Sequence, residues 1–171
     1  MIFDGRWKWE LQKLSWSILV WSKLPTFHDF AKHRLNRAIL YSAIILRKLI
    51  EDEREAEDIA EKTGWSLPEQ VILHTVLSAI KFPYVEKDDW TIRGKFGASN
   101  YGAGEIVSLT AREVCNQLIH SYVWSIAHQT DNNGFAGFLV ASDTTKKKHL
   151  YLISFDEWQN VLTTALKNGA F

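Results

Sequence analysis

Cysteine occurs once in this chain and proline three times. A lone cysteine excludes an intramolecular disulfide and fits a reducing compartment, so stability must come from packing. Few prolines beside 46% hydrophobic residues exclude a disordered chain. Net charge is absent too: 20 basic and 20 acidic side chains cancel. A dedicated electrostatic nucleic-acid binder is usually basic, so that class is disfavoured. No apolar run approaches the ~20 residues that span a bilayer; the longest are Ile18–Val20 and the interrupted Ala38–Leu46. The start, Met1-Ile-Phe-Asp-Gly5, has no basic region leading into an apolar stretch. A cytoplasmic protein with no membrane partner and no signal peptide is therefore expected.

What is present is enough for a core. The 171 residues suit one domain, expected as a helical part over about 6–128 and a hairpin with a helix over about 134–168. Charge is uneven along it. Lys23, Lys32, Arg34, Arg37, Arg47 and Lys48 face only Asp29 in the stretch 23–48, whereas Glu51, Asp52, Glu53, Glu55, Glu57, Asp58 and Glu61 surround a lone Arg54. A solvated face is the ordinary meaning of such runs. The sharper one is a local basic patch, with Arg34 and Arg37 as candidate RNA contacts.

The first helix is expected from about Arg6 to Lys23, where Trp7, Leu11, Leu14, Ile18 and Trp21 recur at helical spacing. Trp9 and Trp16 lie near a second stripe, which either packs on another neighbour or forms a dimer surface. Pro25 ends the element. The second helix, about Phe27 to Glu61, carries the stripe Leu35, Ala38, Ser42, Ile45, Leu49, widened by Ile39, Leu46 and Ile50. Tyr41 and Ile44 fall elsewhere, so its middle is expected buried on most sides, with Gly64 as its stop. Ser66–Glu69 can open a helix, and Val71–Leu77 reads equally as a strand. Residues 82–108 lose periodicity and read as a long loop with Gly94, Gly97, Gly102 and Gly104. Asp131–Gly134 reads as a turn. Phe135–Ser142 and His149–Ser154 form a β-hairpin with a lysine-rich tip, and Ser154-Phe-Asp-Glu157 is a capping box opening a last helix through Leu166, with Gly169 beyond it.

The most informative stretch is Thr110-Ala-Arg-Glu-Val-Cys-Asn-Gln-Leu-Ile-His-Ser-Tyr122. Thr110 and Glu113 form a capping box, and the helix they open is expected to end near His128. Arg112, Asn116 and His120 are spaced i, i+4, i+8 and drift by only about 80°, so they share one face. Cys115 and His120 stand about 140° apart, too far around for a Cys–His pair, and a packed core thiol is the ordinary reading. The histidines lack the spacing and acidic partners of a helical zinc site, and no nucleophile elbow or phosphate loop is present. No metal and no cofactor are expected.

Cys115-Asn-Gln-Leu-Ile-His120-Ser-Tyr122 resembles the R-N-x-x-x-H-x-Y signature of HEPN domains. These are small α-helical proteins of bacterial toxin–antitoxin, CRISPR and phage-defence systems. Many are metal-independent ribonucleases whose motif copies meet across a two-fold. The text AILYSAIILRKLIEDE within 31–57 is similar to the helix preceding that motif, and the two together cover about half the chain. The resemblance implies a mainly α, HEPN-like helical bundle extended by the carboxy-terminal hairpin and helix. It places His120 at the catalytic position, Asn116 at the polar position and Tyr122 where one subgroup is adenylylated. It also implies a homodimer, with RNA and a cognate antitoxin or defence-system protein as partners.

The departure is Cys115 at the arginine position. Metal-free RNA cleavage needs a base, an acid and a cation on the phosphorane. His120 from two subunits supplies the first pair, while Arg112 reaches the third role only from one turn away. Losing such a group commonly costs about 10²–10³ in rate. A degenerate relative that binds RNA or a partner is therefore the first expectation, and an active ribonuclease using His120, Asn116 and Arg112 the second.

Overall fold

The computed structural model describes residues 6–24, 29–64, 72–84, 104–128 and 135–168. Along them run α1 (Arg6–Ser22), α2 (Asp29–Thr63), β1 (Val76–Pro83), β2 (Glu105–Thr110), α3 (Ala111–Ile119), β3 (Ser121–His128), β4 (Phe135–Ser142), β5 (His149–Ser154) and α4 (Phe155–Asn168). The strands form one antiparallel sheet in the order β2-β1-β5-β4-β3. This overturns the expected mainly α, HEPN-like bundle. Its hairpin is present with the expected bounds, but as the centre of a sheet rather than an appendage.

Helix α2 is the spine of the core. Leu35, Ala38, Ser42, Ile45 and Leu49 are buried, as are Ile39, Leu46 and Ile50. Trp158 of α4 crosses it: its indole N–H donates to Ser42 Oγ at 3.0 Å, and its ring meets Phe138 of β4 edge-on at 5.9 Å. Tyr41 and Ile44 correct the expectation of burial on most sides, for both are exposed. Helix α1 packs by Leu11 and Ile18, while Trp9 and Trp16 stand 59% and 66% exposed.

The motif helix is shorter than its sequence suggested. Thr110 and Glu113 do form the capping box, Thr110 N–H donating to Glu113 Oε2 at 2.7 Å and Glu113 N–H to Thr110 Oγ1 at 3.2 Å. The helix ends at Ile119, with His120 as its cap. Beyond it Tyr122, Val123, Trp124 and Ile126 have the β-branched and aromatic side chains that fit a pleated surface, and β4 offers them a ladder from Ser121↔Ser142 to His128↔Phe135. Pairing therefore wins over helical propagation.

The strand reading of Val71–Leu77 is corrected: Ile72–His74 form a turn, and of the described residues in that stretch only Val76 and Leu77 belong to a strand, β1, which continues to Pro83. The expected loop 82–108 is corrected at both ends: β1 runs to Pro83, and β2 begins at Glu105 and pairs with it. Gly104 is a close approach, since a Cβ there would overlap the Ile80 side chain. Pro25, Phe27, Ser66–Glu69, Gly94–Gly102, Asp131–Gly134 and Gly169 lie outside the described residues. At the last helix Ser154 Oγ accepts from Glu157 N–H at 3.1 Å, but the Glu157 carboxylate accepts from Ser78 N–H at 2.9 Å, tying α4 to β1. No helix among the described residues is long and apolar enough to cross a membrane.

Candidate functional site

Two grooves open where α2 faces α3 and the start of β3. On α2 His33, Asn36, Leu40 and Arg47 follow one another by 3, 4 and 7 residues, a spacing that keeps them on one side of a helix. The first groove, about 510 Å³, is lined by His33, Asn36, Arg37, Leu40 and Tyr41 of α2, with Leu118, Ser121 and Trp124 opposite. Trp124 is fixed there: its indole N–H donates to Asn36 Oδ1 at 2.9 Å, and its ring stacks at a tilt on Phe138, 5.3 Å away. Next to the groove the exposed face of α2 carries two guanidinium–ring pairs. Arg34 lies 5.0 Å from the Phe30 ring centre and Arg37 lies 5.2 Å from that of Tyr41. Guanidinium–ring pairs of this kind hold both groups in place while leaving their outer faces open.

The second groove, about 630 Å³, is lined by Arg47, Glu113, Asn116, Gln117, His120, Ser142, Asp143 and Thr144. Its floor is rigid because α3 is stitched to the hairpin tip. Gln117 Oε1 accepts from Ser142 N–H at 2.8 Å and from the Thr145 hydroxyl at 2.9 Å, and Asp143 N–H donates to the His120 carbonyl at 3.1 Å. The His120 backbone therefore closes the helix end while its side chain stays exposed.

Of the residues singled out in the sequence, Asn116 and His120 are brought together here, and Arg112 does not line the groove. The shared-face argument for the three assumed that the helix continued through His120, and it stops one residue earlier. Tyr122 sits on β3 outside both grooves, with the Lys146 ammonium 3.6 Å over its ring. Arg37 lines the first groove, and Arg34 sits beside it without lining it. Cys115 is fully buried, and burial pushes its thiol up to about 12, with nearby Arg47 pulling weakly the other way. At neutral pH it is a neutral thiol and no nucleophile.

Sequence reasoning missed Asn36, Tyr41, Arg47 and Trp124. The signal for Asn36 and Arg47 was present, as polar residues at the border of an apolar stripe. What they border is set by β3 and α3, which pattern along α2 does not reveal. Among the described residues no three His, Cys, Asp or Glu side chains converge as a metal site. Comparison with known proteins finds no matching family model, no matching curated protein and no matching solved structure.

Proposed function

We propose that the chain is a single-stranded RNA-binding module that uses α2 and the first groove. The observation behind this reading is the pair of guanidinium–ring contacts on the exposed face of α2, Arg34 on Phe30 and Arg37 on Tyr41, beside a groove walled by Trp124. Single strands are held by stacking on aromatic faces plus a modest number of phosphate contacts, and stacking contributes ~1–3 kcal/mol per base. A chain of zero net charge suits that division, because affinity then rests on stacking more than on charge. Two phosphate contacts, from Arg34 and Arg37, predict a shallow salt dependence, with log K falling by about 1.4 per tenfold rise in salt. Anisotropy titration of a labelled single-stranded RNA across a salt series measures this. Tyr41→Ala is expected to weaken binding by at least tenfold and Arg37→Gln to flatten the slope, with duplex RNA binding far less. Equal affinity of wild type and Tyr41→Ala, or a slope that Arg37→Gln leaves unchanged, would sink the proposal.

A second reading is a metal-independent ribonuclease, favoured by the meeting of Asn116 and His120 in the second groove. It needs two copies of His120, hence a homodimer, for which the exposed Trp9 and Trp16 of α1 are the surface to examine. RNA cleavage that persists in EDTA and disappears in His120→Ala supports it; intact RNA in the presence of a sedimenting dimer rejects it. With the helical-bundle expectation overturned, a toxin–antitoxin or defence setting, a cognate antitoxin and modification of Tyr122 rest on the short motif alone.

A further inference from the structure

Arg47 is a cation with unfinished business in its surroundings. Its side chain is 22% exposed, and Nη2 pairs with Glu51 Oε1 at 2.8 Å across one helical turn. Its Nη1 is buried and has no hydrogen-bond partner among the described residues. Guanidinium N–H groups taken from water are expected to find acceptors, because an unpaired buried donor loses its hydration without replacement. The neighbouring Cys115 offers no negative charge, being a neutral thiol.

The groove that Arg47 lines carries two acids, one held at a single oxygen by neutral donors and the other paired with a cation. Glu113 accepts from both the amide and the hydroxyl of Thr110, and Asp143 is paired with Lys146. What remains on the walls is the guanidinium, the Asn116 amide and the His120 imidazole, all able to donate, while the Thr144 hydroxyl is engaged with Ser142 Oγ at 3.0 Å. A helix carboxy-terminus repels anions through its open carbonyls. At α3 that repulsion is blunted, since the carbonyls of Asn116 and Leu118 accept the His120 N–H and that of His120 accepts the Asp143 N–H.

We propose that the second groove binds a phosphate-type oxoanion, gripped by Arg47 as it turns from Glu51 into the groove, with Asn116 and His120 as further donors. The Arg47 fork is the right shape for two oxygens of one phosphate. Glu51 is half exposed and can be left to water, so its loss as a partner costs little. The oxoanion can be an RNA backbone phosphodiester or a free phosphate compound. Binding itself requires neither the RNA reading of the first groove nor cleavage.

Inorganic phosphate titrated calorimetrically into the full chain, at constant ionic strength set with chloride, is the test. Saturable binding is expected, lost in Arg47→Gln and tightened about twofold in Glu51→Gln, the size of a released exposed i,i+4 pair. No heat with wild type overturns the proposal, as does unchanged affinity in Arg47→Gln. If Arg47→Gln does not fold, Glu51→Gln still decides: affinity equal to wild type overturns the turning of Arg47 into the groove. Single-stranded RNA separates the two sources. If Arg47→Gln weakens RNA binding and phosphate competes with RNA, the oxoanion is backbone. If RNA affinity is unaffected while phosphate binding is lost, the ligand is a free phosphate compound. RNA binding that fails altogether beside intact phosphate binding removes the first-groove reading and leaves this one standing.

Discussion

Between Ala31 and Ile50, α2 buries ten side chains, and from Glu51 to Thr63 it buries none. The first stretch is held by α1, α3, α4 and the sheet, and the grooves open along its border. The second is a charged helix whose nearest support is local: Arg47–Glu51 and Lys48–Asp52 pairs bridge the boundary at 2.8 and 2.7 Å. Among the described residues, long-range ties reach it at Glu53, which accepts from Leu73 N–H at 2.8 Å and from the Ile72 backbone. The lesson is that one continuous helix can have two sources of stability. Tertiary burial fixes the half that carries candidate chemistry, and propensity, i,i+4 pairs and the Glu53 tie support the other.

The strongest way to break this comparison is truncation in each half. Leu46→Ala is expected to cost ~2–5 kcal/mol in chemical denaturation, and Ile59→Ala, at a half-exposed position, less than ~0.5 kcal/mol. Similar losses would mean that the distal half is packed after all. Next in size, Ser42→Ala removes the acceptor of the Trp158 indole N–H and is expected to cost ~1–3 kcal/mol. Adding Trp158→Phe should then cost less than it does alone, because the unpaired donor is already present; additive losses would break the proposed link.

Titration sharpens the contrast further. At His149, burial first and then Lys81 and Lys148 hold the imidazole below its usual 6.5. The unfolded chain then binds the extra proton, so the His149 contribution is fully present above 6.5 and is lost as pH falls toward the lower folded value. At Glu53, burial raises the carboxyl above 4.5 against the opposing hydrogen bonds from Leu73 and Ile72. Its contribution is present below 4.5 and lost as pH rises through the folded value. Melting temperatures of His149→Gln and Glu53→Gln across pH 3 to 8 should therefore diverge from wild type in opposite directions. A parallel change would contradict both assignments. A last test lies at the boundary itself: Lys48→Ala breaks an i,i+4 pair whose lysine is exposed but whose Asp52 carboxylate is only 8% exposed. Denaturation should show a loss smaller than that of Ser42→Ala but clear of wild type, because a nearly buried carboxylate loses its partner; no loss would show that Asp52 is satisfied without Lys48.

Much of α2 was legible because burial there repeats with the helical period, and the Thr110–Glu113 box because capping needs only four residues. The β4 and β5 bounds were legible as apolar runs around a polar tip. Tyr41 and Ile44 were misread because a single helix cannot say how many of its sides have neighbours. Strand β3 was misread because the residues after His120 extend a helical pattern well enough until β4 is there to pair with them. Strands β1 and β2 are joined across residues 76–83 and 105–110, and no local period reports such a pairing. At the second groove Asn116 and His120 were found from their spacing. The cation beside them was sought on the same helix, at Arg112, and stands on α2.

The sequence by itself determined the helical spine, the capped start of α3, the hairpin and the last helix, because each is written in a period or a cap that neighbouring residues enforce. Only tertiary structure decided that the strands join in the order β2-β1-β5-β4-β3, that α3 stops at Ile119, and that Arg47 stands beside Asn116 and His120. Those outcomes depend on which distant backbone groups satisfy one another and on which side of α2 is covered. They are properties of the assembled sheet and helices rather than of any one segment.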